Sequence, residues 1–235
     1  MDESLIEKQN GNFANTVLGA VPSVVYNEDC VEGLKRFSDK YFDLAVVDPP
    51  YGINMAKTGK VGSNNAVKAK DYGAKEWDKQ PPNDEYFRQL FRVSKNQIVW
   101  GANHFISKMP FDSSCWIVWD KDNSANFADC ELAWTSFDTA VRKFQWRWNG
   151  MLQQNMKDKE ERIHPTQKPV ALYDWILQNY AERGNLILDT HLGSGSSRIA
   201  AYKGGFNFTG FEIDQEYYEK QEKRFNDFKS QLRLF

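Results

Sequence analysis

Cysteine is scarce and poorly placed for bridging. The 235 residues hold three, Cys30, Cys115 and Cys130, with no C-x-x-C spacing. That argues against a disulfide framework and a zinc site, and buried thiols in a reducing cytoplasm are the expectation. Histidine is equally sparse: His104 and His164 have no metal-ligand spacing with each other or with any cysteine, so no metal is expected. No apolar run approaches the ~20 residues that a membrane helix needs, and mean hydropathy is −0.67. The opening MDESLIEKQN is acidic and lacks a basic stretch followed by an apolar one, so no secretory signal is read there. A dominant charge is missing too: 30 basic residues face 32 acidic ones, which does not suit a nucleic-acid binder held by global charge.

What remains fits one large α/β domain spanning 1–235. Charge is unevenly distributed. Positions 54–80 carry six Lys against three acids, and 142–168 seven Lys/Arg against three. Aromatic content is high, at 14% with eight Trp. The first twenty or so residues show no periodicity and read as an arm. Val24-Val25-Tyr26 is β-prone, and Val31, Leu34 and Phe37 have helical spacing. Phe42 to Val47 is a nearly all-apolar strand, as in a buried parallel sheet. Asn83 to Val93 reads as a helix capped by Asn83 or Asp84. Strands follow at 97–100, 115–119, 131–136 and 144–148, and a helix at 170–181. A strand at 186–189, a helix at 198–203, a strand at 208–213 and a last helix from Glu216 complete the alternation. The pattern predicts a mostly parallel central sheet flanked by helices. Residues 54–80 read as a loop, long enough to require a function.

Two constellations carry chemistry. Asp189-Thr190-His191-Leu192-Gly193-Ser194-Gly195-Ser196 lies between an apolar strand and a helix, where glycines let backbone N–H groups approach a ligand. Glu212 ends the next strand, 17 residues beyond Gly195, placed to accept hydrogen bonds from ribose hydroxyls. Arg198 stands where a dinucleotide fingerprint needs its third glycine, which disfavours a pyrophosphate cofactor. A purely structural turn is the competing reading of the glycines alone. The second constellation is Asp48-Pro49-Pro50-Tyr51 at the end of an apolar strand. Paired prolines fix φ and supply no N–H. The Asp48 carboxylate and a main-chain carbonyl then form an acceptor pair suited to an amino group, with Tyr51 offering a face for a base.

Here the chain resembles the amino-group DNA methyltransferases that use S-adenosylmethionine. Asp48-Pro49-Pro50-Tyr51 resembles their D-P-P-Y motif. His164-Pro165-Thr166-Gln167-Lys168-Pro169 resembles the H-P-T-Q-K-P segment of their circularly permuted β class. Asp189 to Ser196 is similar to D-P-F-x-G-S-G-T, and Phe211-Glu212 to the acidic ribose-binding strand end. Asn27-Glu28-Asp29-Cys30 is similar to a G-D-C segment whose Asp contacts adenine. The blocks follow β-class order, catalytic first and cofactor last.

The resemblance implies a Rossmann-like methyltransferase fold with a catalytic half at 24–120, a small insert at 121–163 tied to target recognition, and a cofactor half at 164–235. It implies Asp48, Pro49, Pro50 and Tyr51 as the catalytic set. Cofactor contacts would come from Asp29, Cys30, His164, Thr166, Gln167, Lys168, Asp189, His191, Gly193, Ser194, Gly195, Ser196 and Glu212. Thr190-His191 replaces Pro-Phe, so His191 is either a ligand contact or a packing substitute.

The implied reaction is methyl transfer to adenine N6 in double-stranded DNA, on a base flipped out of the helix. Cytosine N4 is the alternative target, and a non-catalytic adenosine-ligand or DNA-binding module is the alternative class. DNA contacts are expected from Lys57, Lys60, Lys68 and Lys70 in the 54–80 loop, which otherwise is a solvated surface loop. Arg142, Lys143 and Arg147, interleaved with aromatics, are the second set, and an edge strand packing its aromatics inward is the competing reading. A cytoplasmic enzyme without membrane contact is expected, and the family context adds a homodimer and a restriction endonuclease as candidate partners.

Overall fold

The computed structural model describes residues 22–53, 60–61, 70–71, 80–122, 128–149 and 152–232. In order these form β1 (Ser23–Tyr26), α1 (Cys30–Leu34), β2 (Phe42–Val47), β3 (Lys60–Val61), β4 (Lys70–Asp71), α2 (Asp84–Val93) and β5 (Ser94–Trp100). Then come β6 (Trp116–Asp120), β7 (Cys130–Thr135), β8 (Arg142–Gln145), β9 (Trp148–Asn149) and β10 (Leu152–Gln153). The chain continues through α3 (Val170–Tyr180), β11 (Leu186–Asp189), α4 (Ser196–Gly204), β12 (Asn207–Phe211) and α5 (Gln215–Leu232). The arm expected before Pro22 lies outside the described residues.

Eight strands make one sheet in the order β1-β12-β11-β2-β5-β7-β6-β8. The first five are mutually parallel, and β7 runs against both β5 and β6. This is the expected mostly parallel α/β sheet, a Rossmann-like methyltransferase fold. Its topology has a direct consequence. Parallel strands deliver the carboxyl ends of β1, β12, β11, β2 and β5 to one edge, where α/β sheets bind ligands. Because β7 is reversed, its first residues reach that same edge.

Both faces of the sheet are covered, which explains the unbroken apolar run of β2. Leu44 and Val46 enter the core shared with Leu172 and Ile176 of α3, whereas Ala45 and Val47 pack with Leu34 of α1 and Leu90 of α2. Each such side chain, buried to 1% exposure or less, contributes about 1.5–3 kcal/mol for a leucine-sized group. Asn83 caps α2 by accepting the Tyr86 N–H at 3.0 Å. The helix then passes without a loop into β5, three residues earlier than the periodicity suggests. Ser94 makes that junction: its hydroxyl donates to Leu90 O at 2.5 Å, and its carbonyl accepts from Gln97 Nε2 at 2.8 Å.

Three local expectations change. The strand read across 144–148 divides into β8 and β9 around Trp146 and Arg147. In the 54–80 segment the described pieces β3 and β4 pair antiparallel, Lys60 opposite Asp71, a two-residue ladder too short to leave a periodicity. Cys30 and Cys115 are buried as expected, but Cys130 is exposed. Among the described residues no helix is long and apolar enough to cross a membrane, and no cluster of His, Cys, Asp or Glu could hold a metal.

Candidate active site

A cavity of about 270 Å³ opens at the carboxyl edge of the sheet. Its wall joins four separate segments: Glu28 to Cys30 after β1, Asp48 and Pro50 after β2, His164 to Lys168 before α3, and Thr190 to Ser194 after β11. Glu212, Ile213, Tyr173 and Tyr217 complete it. Of the residues singled out from sequence, Asp29, Cys30, His164, Thr166, Gln167, Lys168, His191, Gly193, Ser194, Glu212, Asp48 and Pro50 line one space. Asp189, Gly195, Ser196, Pro49 and Tyr51 adjoin those residues in sequence without lining the cavity themselves.

The glycine turn is built around Glu212. Its Oε2 accepts the Gly193 N–H at 2.8 Å and its Oε1 the Asp214 N–H at 2.9 Å. Burial nevertheless pushes the Glu212 carboxyl above the usual range. Gly193 has φ +53° and Gly195 φ +73°, left-handed backbone that glycine adopts freely. Arg224 of α5 braces the turn from behind, donating to Ser194 O at 2.8 Å and pairing with Glu160 at 2.7 Å. Asp189 lies beneath, accepting from Ser197 Oγ at 2.5 Å and His191 N–H at 3.1 Å. Burial raises its carboxyl to about 7. At the opposite wall Asp29 caps α1, its Oδ1 accepting Val31 N–H at 2.8 Å and Glu32 N–H at 3.1 Å.

The two wall histidines are neutral. Burial holds His164 down at about 3 and His191 at about 4. Thr166 N–H donates to His164 Nδ1 at 3.3 Å, and the ring packs edge-on to Tyr217. His191 Nδ1 meets Thr190 Oγ1 at 2.9 Å, and Thr190 Oγ1 meets Tyr86 OH at 2.7 Å. His191 Nε2 lies 3.9 Å from Cys30 Sγ. Burial raises that thiol to about 12, so it stays protonated and can donate to the imidazole. The hydroxyl and thiol partners satisfy the imidazole where the resemblance has Pro-Phe.

Asp48 is held from two sides. Tyr51 OH donates to its Oδ1 at 2.7 Å, and Lys168 Nζ donates to its Oδ2 at 2.5 Å. Burial raises the Asp48 carboxyl and the Lys168 charge opposes that rise. Lys168 also pairs with Glu131 Oε2 at 2.9 Å, and Lys121 pairs with the other oxygen of Glu131. Burial would lift Glu131, but the two lysines outweigh it and hold its carboxyl at about 2. The Tyr51 ring stacks on His104 at 5.0 Å. Gly101, at φ +67°, leaves room for that ring, since a Cβ there would come within 2.1 Å of it.

Glu131, Lys121 and Arg224 were not legible as site residues. The one trace of Glu131 in the sequence was an acid opening the apolar run Leu132-Ala133-Trp134. Among the basic candidates, Lys57 and Lys68 lie outside the described residues, and Lys60 and Lys70 are placed by backbone pairing alone. Arg142, Lys143 and Arg147 belong to the edge strand β8 and its exit. Lys143 pairs with Asp120 at 3.3 Å and Arg147 pairs with Asp122. Phe144 and Trp146 pack against the core, Phe144 with its ring 5.4 Å from that of Trp175.

Comparison with known proteins finds similarity to DNA methyltransferases. A DNA methylase family profile, of the N6/N4 amino type, matches residues 120–223. The type II methyltransferase M2.MboI of Moraxella bovis is 25% identical over 259 aligned residues, covering 89% of this chain and 92% of the relative. M.HinfI of Haemophilus influenzae is 25% identical, covering 94% of this chain and 71% of the relative. Among solved structures, the M1.HpyAVI–SAM complex superposes with TM-score 0.56 at 21% identity, covering 86% of this chain and 98% of that one. The cytosine-N4-specific PvuII DNA methyltransferase gives 0.57 at 13% identity, covering 90% and 94%. These matches support an amino-methyltransferase.

Proposed function

We propose that the chain transfers a methyl group from S-adenosylmethionine to an exocyclic amino group of a base in DNA, with adenine N6 as the target. The observation that carries the reading is that Asp48 and Glu212 line the same cavity, so an amine acceptor and a ribose acceptor share one space. The residues present fit the cofactor. Glu212 has lone pairs left for ribose hydroxyls after its two backbone bonds, Asp29 would contact the adenine, and Thr166, Gln167, Ser194 and neutral His164 would hold the remainder. Bound there, S-adenosylmethionine supplies an electrophilic methyl on a sulfonium.

The chain's own part is positioning and electrostatics. A base amine is a poor nucleophile because its lone pair is delocalised into the ring. Hydrogen bonds from its N–H groups to Asp48 and to the Pro49 carbonyl favour a rehybridised nitrogen with its lone pair free for attack. Asp48, made more basic by burial, would receive the proton that the methylated nitrogen sheds. No covalent enzyme intermediate is needed. A base stacking on Tyr51 would share or replace the place of His104, which stacks there in the free protein. The flipped base reaches this edge from duplex DNA, with Arg142, Lys143, Arg147 and the lysines of 54–80 as the proposed phosphate contacts.

Adenine is favoured over cytosine by the Asp at the first position of the motif; cytosine-N4 relatives more often carry Ser there. Incubating DNA from a methylation-free host with the protein and S-adenosylmethionine, then analysing nucleosides by mass, separates the cases. N6-methyldeoxyadenosine is the expected product. N4-methyldeoxycytidine would shift the assignment to the alternative target, and no methylated nucleoside would leave only a binding module.

A further inference from the structure

Four charged side chains form one row of alternating sign running from the cavity into the sheet: Asp48, Lys168, Glu131 and Lys121. Lys168 Nζ is 2.5 Å from Asp48 and 2.9 Å from Glu131, and the Lys168 side chain is only 4% exposed. Burying a carboxylate costs several kcal/mol unless it is well paired, and apolar residues often replace such pairs without loss of stability. Packing therefore gives no reason for an acid at this point of β7. Glu131 does not line the cavity, so it cannot itself hold the substrate. What it does reach is the ammonium that grips Asp48.

An ammonium with a single carboxylate partner places its whole charge on that partner and weakens it as an acceptor for anything else. An ammonium shared between two carboxylates leaves each with lone pairs and charge to offer. We propose that Glu131 is a positioning residue of the transfer site, taking a share of Lys168 so that Asp48 remains an acceptor for the target amine. This rests on the methyltransferase reading above. The groups that interact electrostatically with Asp48 are Tyr51 from its own turn, Lys168 before α3, Tyr173 on α3, Glu131 on β7, Tyr86 on α2 and Asp189 on β11. Lys168 is the one cation in that set.

The test uses the full chain, tritiated S-adenosylmethionine and DNA from a methylation-free host. Glu131→Gln is expected to lower kcat by about 10- to 100-fold, the scale of a small misplacement at the reacting centre. Its dissociation constant for S-adenosylmethionine should not change. The acid limb of its kcat–pH profile should move to lower pH, because one anion facing Asp48 is gone. Glu131→Asp keeps the charge and should leave the limb in place. In a Lys168→Met background, Glu131→Gln should cause no further loss, the signature of two residues acting as one unit. Wild-type kcat, an unshifted limb, or equal losses in both backgrounds would overturn the proposal. Should Glu131→Gln not fold, Lys121→Met provides the opposite sign: the limb should move to higher pH, and an unmoved limb would overturn the proposal equally. All of these outcomes are read against an active wild type. A wild type that methylates no DNA defeats the functional reading instead.

Discussion

Lys168 sets its ammonium 2.5 Å from Asp48 across 120 residues of chain, and so ties the segment before α3 to the end of β2. That contact brings the two halves of the sequence together at one point. It also places a cation beside the carboxylate that the proposed chemistry needs as an acceptor. The lysine is raised above its ordinary range: burial works against its charge, and Asp48 with Glu131 more than compensates.

Lys168→Met leaves Asp48 and Glu131 facing each other in a buried site without their shared counter-ion. Breaking a buried pair in this way costs about 3–5 kcal/mol. Urea unfolding should show that loss. The surviving folded enzyme should transfer methyl groups more slowly, with its acid limb moved to higher pH, since the charge that lowers the Asp48 pKa is gone.

Glu212→Ala removes a carboxylate that would accept from the cofactor ribose and already holds the Gly193 and Asp214 amides. Hydrogen bonds to a charged group contribute about 1.5–3 kcal/mol each. The dissociation constant for S-adenosylmethionine, measured by calorimetry, should rise by about 100-fold or more. Unchanged affinity would remove Glu212 from the cofactor site.

Stability should depend on pH through the buried histidines and Asp189. His164 and His191 bind protons only near 3 and 4 in the folded chain, against ~6.5 when unfolded. Between those values the unfolded state holds more protons, so stability falls as pH drops below about 6.5. Asp189 acts in the opposite sense. Folded, it keeps its proton up to about 7, against ~3.9 unfolded, so its contribution is fully present below pH 4 and is lost as pH rises to 7. Thermal unfolding from pH 4 to 7 should therefore rise more steeply for Asp189→Asn than for wild type, and less steeply for His191→Phe.

Much of the site was legible because it sits at strand ends. Apolar runs such as Phe42 to Val47 and Leu186 to Asp189 declare buried parallel strands, and the acid that closes each one marks the ligand-binding edge. Glu212 follows by the same logic, whereas Asp29 was read only from the resemblance of Asn27 to Cys30 to a family segment. Glu131 escaped because its strand runs the other way. An acid at the start of a strand carries no such mark, and only the sheet order puts it beside Asp48. Lys168 was read with the cofactor because its motif borders that pocket; its contacts are with Asp48 and Glu131. Phe144 and Trp146 illustrate a different limit. Alternating basic and aromatic residues suit either nucleic acid or an edge strand, and here the aromatics pack inward.

The most direct test of the account is paired measurement on Asp48→Ala: calorimetric binding of S-adenosylmethionine and tritium transfer to DNA. The account predicts wild-type affinity for the cofactor, with transfer lower by about a thousandfold, as expected when a positioned charge is removed from a reacting centre. Transfer at the wild-type rate would contradict it.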